Sequence, residues 1–211
     1  NRATSKRPTI TLPANVTYYN DDSIATIKME MSDDRGLKTL AAGSNNTIIT
    51  GLYAPNYPRN KQGVVGDFGV YQNGRLLYYP KSYTVNIQGT IGRDNGAWKP
   101  YAVGAHIIEY VVTDSDGQTD TAHMTLTIKG FNERNEPVGG DTVTVNNPSA
   151  LSETERAQIL ENFKSKNATI LNRSDYKKDS EGNHEITVSN TGEITITYRD
   201  NTVDVVRANV R

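Results

Sequence analysis

Short runs in which apolar and polar residues alternate with a period of two recur through the first 130 or so residues, and this pattern most constrains the fold. Ile24-Ala25-Thr26-Ile27-Lys28-Met29-Glu30-Met31 and Tyr83-Thr84-Val85-Asn86-Ile87 alternate clearly, as does the opening Pro8-Thr9-Ile10-Thr11-Leu12. The strongest strand candidate, Ala105 to Thr113, meets the turn Asp114-Ser115-Asp116-Gly117. Ala122-His123-Met124-Thr125-Leu126-Thr127-Ile128 returns from it as the second arm of a hairpin. Leu37 to Leu40 and Thr47 to Leu52 are shorter candidates. With turns and no helical period between them, these strands predict an antiparallel sandwich. Composition agrees, since 17 Gly and 12 Tyr against 3 Phe and 3 Met suit many short polar strands.

Two segments break the rhythm. Leu52 to Lys81 holds Pro55, Pro58 and Pro80 with Gly63, Gly66, Gly69 and Gly74, interleaved with aromatics. An aperiodic stretch of this length is functional or disordered, and its apolar content argues against disorder. Phe131 to Gly140 reads as a polar hinge, as Asn1 to Arg7 reads as a linker. Beyond the hinge, Ser152-Glu153-Thr154-Glu155 is a capping box, and Leu151, Ile159, Leu160 and Phe163 fall near helical spacing. A helix from Ser152 to Lys166 is expected. Three strands follow it, Glu185 to Val188, Glu193 to Tyr198 and Val203 to Val206. A helix covering a β-meander makes a small α+β module, with a boundary before it at about 130–145.

Much chemistry is excluded. With no cysteine there is no disulfide, thiolate metal site or cysteine nucleophile, and a β-protein without disulfides points to the cytosol or to a Gram-positive surface. No nucleophile elbow, P-loop, dinucleotide fingerprint or H-E-x-x-H occurs, so neither an enzyme nor a cofactor is expected. A net charge of -1 gives no reason to expect nucleic acid or an anionic membrane. No apolar run approaches a membrane span, and nothing at Asn1 resembles a signal peptide. His106 and His123 could face each other across the hairpin as a metal pair, although strand-surface residues are the plainer reading. His184 stands apart. Asp33-Asp34 and Asp114-x-Asp116-Gly117 could contribute to a calcium site, but the twelve-residue EF-hand loop is missing and Asp-rich turns are the commoner explanation. No metal site is therefore assigned. The sequons at Asn15, Asn45, Asn167 and Asn172 are expected by chance in an Asn- and Thr-rich chain.

What remains is a concentration of aromatic and basic residues. Tyr53, Tyr57, Phe68, Tyr71, Tyr78, Tyr79, Trp98 and Tyr101 share one region with Arg59, Arg75, Arg93 and Lys99. Flat apolar faces with hydrogen-bonding edges suit a sugar. A guanidinium fork suits the carboxylate of an acidic one. Some of these rings, Tyr83 nearby among them, are expected to be core.

Pro8-Thr9-Ile10-Thr11-Leu12-Pro13, the strand end Gly89-Thr90 and Tyr110-Val111-Val112-Thr113-Asp114-Ser115-Asp116-Gly117 together carry a resemblance. So do the Ser152-to-Asn167 helix and the terminal meander. The chain resembles the binding region of streptococcal serine-rich repeat adhesins, a Siglec-like domain followed by a Unique domain. The resemblance implies a mainly β protein, an Ig-like (V-set-type) sandwich over residues 1–135 and a small α+β module over 136–211. It also implies sialylated host glycans or glycoproteins as partners, a monomer, and a cell-wall-anchored surface protein of which this chain is a fragment. In that family a hydrophobic-Thr-Arg-any motif on the F strand binds sialic acid. The best positional match here is Ile91-Gly92-Arg93-Asp94, with Gly92 in place of the Thr and Thr90 or a backbone group as its substitute. The expected ligand contacts are Arg93, Thr90 and Asp94 with Tyr53, Tyr57, Arg59, Trp98, Lys99 and Tyr101. A protein-binding or stalk module without sialic acid binding is the alternative.

Overall fold

The computed structural model describes residues 6–59, 63–176 and 186–211. Asn1 to Ser5 of the expected linker, Asn60, His184 and Glu185 lie outside the described residues. The chain forms two compact units, Asn1–Lys129 and Gly130–Arg211.

The first unit contains β1 (Thr9–Thr11), β2 (Asn15–Tyr19), β3 (Ile27–Ser32), β4 (Leu37–Ala42), β5 (Leu52–Tyr53) and β6 (Val70–Gln72). It continues through β7 (Arg75–Tyr78), β8 (Ser82–Gly89), β9 (Arg93–Asp94), β10 (Ala97–Trp98), β11 (Gly104–Asp114) and β12 (Thr119–Lys129). Two four-stranded sheets, ordered β1-β3-β8-β5 and β2-β12-β11-β4, make an Ig-like sandwich. The second sheet is antiparallel apart from β2, which runs parallel to β12.

Alternation decides which side chains enter the core. Ile27, Met29 and Met31 of β3 and Val85 and Ile87 of β8 are buried from one sheet. Leu37, Leu40, Ile108, Val112, Met124, Leu126 and Ile128 are buried from the other. Met29, Met124 and Leu126 are almost wholly enclosed, and each such side chain contributes roughly 1.5–3 kcal/mol by leaving water.

Three local differences from the sequence reading have physical causes. Thr47 to Ile49 and Gly51 form no strand, and only Leu52–Tyr53 pairs, with β8. The aperiodic stretch contains the β6–β7 ribbon, whose turn is Asn73-Gly74 with φ of 50° and 85°. Every residue of β7 is exposed, so the ribbon carries no inward-outward alternation to read. His106 pairs with Leu126 and His123 with Glu109, so the two histidines do not face each other.

In the second unit α1 (Glu153–Lys166) and α2 (Ala168–Leu171) precede the meander β13 (Ile186–Val188), β14 (Glu193–Thr197) and β15 (Val203–Arg207). The capping box forms in both directions: Ser152 Oγ accepts from Glu155 N at 3.1 Å, and Glu155 Oε1 accepts from Ser152 N at 2.9 Å. Ile159 and Phe163 are buried with Leu151, Ile194, Ile196 and Tyr198. The expected hinge is packed rather than open. Phe131 is 2% exposed and its N–H donates to Asp200 Oδ2 at 2.7 Å, so this segment begins the second unit's core.

Candidate functional site

The site elements meet where the connection from β8 to β11 lies against the segment leading into β5. Gly51, at φ 87°, lies so near Arg93 that a Cβ would come within 1.9 Å of the Arg93 carbonyl oxygen. Beside this contact is a cavity of about 450 Å³ lined by Leu52, Tyr53, Thr90, Arg93, Asp94 and Asn95, with glycine backbone between them. Four of the expected residues, Tyr53, Thr90, Arg93 and Asp94, are therefore brought together.

Arg93 is engaged within the protein. Its Nε donates to Asp21 Oδ1 at 3.0 Å, one Nη donates to the Gly96 carbonyl at 3.1 Å, and the guanidinium stands 5.0 Å from the Trp98 ring centroid. The β9–β10 hairpin turning at Asn95-Gly96 places these groups, pairing Trp98 with Arg93 and Ala97 with Asp94. Trp98 is thus a partner of the arginine. Thr90 Oγ1 lies 3.4 Å from Ser23 Oγ. Lys99 is exposed, and its backbone N–H donates to Gly92 O at 2.7 Å.

By strand order, β11 occupies the F position, between β12 and β4. Ile91-Gly92-Arg93-Asp94 lies on the connection that precedes it. Gly92 has φ 77°, and a Cβ there would meet Asn20 Oδ1 at 2.5 Å. Asn20 is fully buried and holds Tyr101 at both backbone groups, accepting from its N–H at 2.8 Å and donating to its carbonyl at 3.2 Å. A threonine at this position would be strained and would force Asn20 to move.

A second cavity, of about 380 Å³, opens toward the core between Met29, Val85, Ile87 and Ile108, with Tyr53, Tyr57, Arg59 and Tyr110 also lining it. Tyr57 is half-buried, donates from its hydroxyl to Leu40 O at 3.2 Å and tilts against Tyr110 at 6.2 Å. Burial pushes its hydroxyl up to about 12. Arg59 is exposed, and Tyr53, which is 58% exposed, lines both cavities.

Tyr101 belongs elsewhere. It is 8% exposed, its hydroxyl donates to Thr50 O, and burial pushes that hydroxyl up to about 12. It is a core residue that fixes the segment leading into β5, which corrects its expected role as a ligand contact. Tyr83 packs edge-on against Phe68 at 5.2 Å and donates to Asn56 O at 2.5 Å.

Sequence reasoning missed Asp21 and Glu109. Glu109 on β11 accepts from Asn45 N at 3.1 Å and Asn45 Nδ2 at 3.2 Å, while Asn46 Oδ1 accepts from Glu109 N at 2.9 Å. These bonds fix the loop that carries Asn46 and Thr47 to the second cavity. A lone carboxylate within the apolar run Ile107 to Val112 was the available signal.

Residues 135–210 match the family model of the atypical Rib domain. The chain is 25% identical over 189 residues to a streptococcal hemagglutinin of Streptococcus gordonii, covering 85% of this chain and 8% of that protein. It is 26% identical over 214 residues to the platelet binding protein GspB of the same species, covering 96% of this chain and 6% of that protein. Among solved structures, the sialic acid binding region of a Streptococcus sanguinis SK1 adhesin, bound to 3'sLn, aligns with a TM-score of 0.47 and 18% identity. That alignment covers 99% of this chain and 49% of the other. These relatives are adhesins and not enzymes. No helix among the described residues is long and apolar enough to cross a membrane.

Proposed function

We propose that this chain, whose homologues are streptococcal serine-rich repeat adhesins, is the ligand-binding region of a cell-wall-anchored surface adhesin and takes sialylated O-glycans of host glycoproteins. The observation carrying this reading is the gathering of Thr90, Arg93 and Asp94 with the exposed ring of Tyr53 around one cavity. Tyr53 offers a face for a sugar ring, and Thr90 and Asp94 offer partners for its hydroxyls. The ligand carboxylate replaces Asp21 on the guanidinium, exchanging one charge-assisted bond for another.

This exchange makes Asp21 the informative position. Wild type, Asp21→Asn, Arg93→Glu and Arg93→Lys are compared on immobilised sialylated O-glycans, with thermal melts alongside. Asp21→Asn should bind about 1.4- to fivefold more tightly, because an exposed pair worth roughly 0.2–1 kcal/mol no longer competes. Arg93→Glu should lose binding. Arg93→Lys should be nearly as poor, because an ammonium lacks the planar fork. Unchanged binding by Arg93→Glu rejects this anchor.

The exposure of Arg59 at the neighbouring cavity favours one second reading, in which Arg59 takes the carboxylate and Tyr53 and Tyr57 flank the sugar. Loss of binding in Arg59→Glu with retention in Arg93→Glu would select it.

A further inference from the structure

The two acidic turns singled out in the sequence come together in the fold. The β3–β4 turn and the β11–β12 turn are joined by Ser115 N donating to Gly36 O at 2.9 Å and by Arg35 pairing with Asp116 at 3.8 Å. Beneath them lie two buried carboxyl groups, Asp33 at 7% exposure and Asp114 at 0%. One oxygen of each is saturated by backbone. Asp33 Oδ2 accepts from Arg35 N and Gly36 N, both at 2.9 Å, and Asp114 Oδ1 accepts from Asp116 N at 3.0 Å and Gln118 N at 2.8 Å.

The other two oxygens are a different matter. Asp33 Oδ1 and Asp114 Oδ2 are buried with no hydrogen-bond partner, although the two carboxyl groups lie within hydrogen-bonding reach of each other. Gln118 Oε1 is a third buried acceptor without a donor, on the residue whose backbone bonds to Asp114 in both directions. Turn formation explains only the saturated oxygens, since an Asp turn uses its carboxylate to collect backbone N–H groups. Two like charges left facing each other in a dry site are unfavourable unless something positive lies between them. A single shared proton serves two oxygens and leaves Gln118 Oε1 without a partner. A hard cation serves all three and neutralises the pair.

We propose that Asp33 Oδ1 and Asp114 Oδ2, with Gln118 Oε1, ligate a calcium ion that ties the β3–β4 turn to the β11–β12 turn. Backbone carbonyls and water complete the coordination. Among the described residues no group of three or more acidic or histidine side chains forms a metal cluster. With only two carboxylates the affinity falls at about 10⁻⁴–10⁻³ M, the range of extracellular calcium modules. Such a site is filled outside a cell and stiffens this end of the sandwich. It is independent of the glycan reading.

The test is a set of thermal melts of the full chain after treatment with chelator, followed by additions of calcium, magnesium or sodium chloride. Calcium at about 10 mM should raise the wild-type melt by roughly 3–10 °C, with magnesium and sodium well behind. Calorimetric titration should give a dissociation constant in the range above. Asp114→Asn and Asp33→Asn should each lose the calcium response, and the second serves if the first does not fold. A wild-type melt indifferent to calcium, but falling as pH rises from about 5 to about 8, overturns the proposal and assigns a shared proton to the pair. A calcium response retained by both variants overturns it as well, by placing the ion elsewhere.

Discussion

Restoring the threonine of the adhesin motif at Gly92 should damage this protein. Gly92 has φ 77°, in the left-handed region, where a residue with a Cβ costs roughly 1–2 kcal/mol and a β-branched one more. The added Cβ would stand 2.5 Å from Asn20 Oδ1, so Asn20 must move. Asn20 is wholly buried, and its two bonds to the Tyr101 backbone contribute about 0.5–1.5 kcal/mol each, with a larger cost if the Tyr101 groups remain buried and unpaired. Together these give about 3–5 kcal/mol for Gly92→Thr, a melting decrease on the order of 10–15 °C. Gly92→Ala, without the branch, should fall between Gly92→Thr and wild type. Melts followed by circular dichroism, with glycan binding measured below the transition, provide the assay. A Gly92→Thr protein melting within about 2 °C of wild type would refute the steric argument. Tighter binding by that variant would show that residues 91–94 do act as the family motif.

Two further predictions concern the supports of the two units. Glu109→Gln keeps the shape and removes the charge that accepts from Asn45 N and Nδ2, so the amide protons of Asn45 to Thr47 should exchange faster while the amides of β12 keep their protection. In the second unit, burial alone would raise the Asp175 carboxyl. The hydrogen bonds from Arg134 and Asn135 and the charges of Arg134 and Arg173 outweigh it and hold the group below its ordinary range. A depressed folded value contributes stability that is present above the unfolded value of about 3.9 and lost as pH falls through the folded one. Asp175→Asn should therefore cost the second unit about 2–3 kcal/mol near neutral pH and flatten the acid limb of its stability profile below about pH 4, as followed by denaturant melts.

The main strands were legible because burial imposes alternation on them. β3, β12 and the middle of β8 send every second side chain inward, and their sequences say so, while β11 reads as a nearly continuous apolar run. α1 was legible from local chemistry, since the capping box and the spacing of Ile159 and Phe163 lie within one helix. β2 was missed because Asn15–Tyr19 is a short edge strand with no fully buried residue, and its partner lies over 100 residues away. The β6–β7 and β9–β10 hairpins carry Asn-Gly at their turns, a strong local signal that remained unread because neither ribbon alternates. Phe131 was misplaced in a hinge because its neighbours are polar. Those polar side chains bond inward: Asn135 donates to Phe131 O and to Asp175.

Side-chain chemistry in the candidate site was legible residue by residue, but the roles were not. An arginine beside a tryptophan and an aspartate reads as a free fork near a sugar platform. Asp21, 72 residues away, takes its Nε, and Trp98 takes its face. Tyr101 reads like Tyr53, yet one is enclosed by Asn20 and Thr50 while the other stands at the rim. These distinctions depend on partners far away in the sequence, and no local pattern encodes them. The acidic turns are the converse case. Asp33 and Asp114 each read as ordinary turn residues, and each does cap its own turn with one oxygen. Only the fold brings the two carboxyl groups within reach of each other, each with one buried oxygen left without a hydrogen bond, and that is the arrangement the proposed cation would answer.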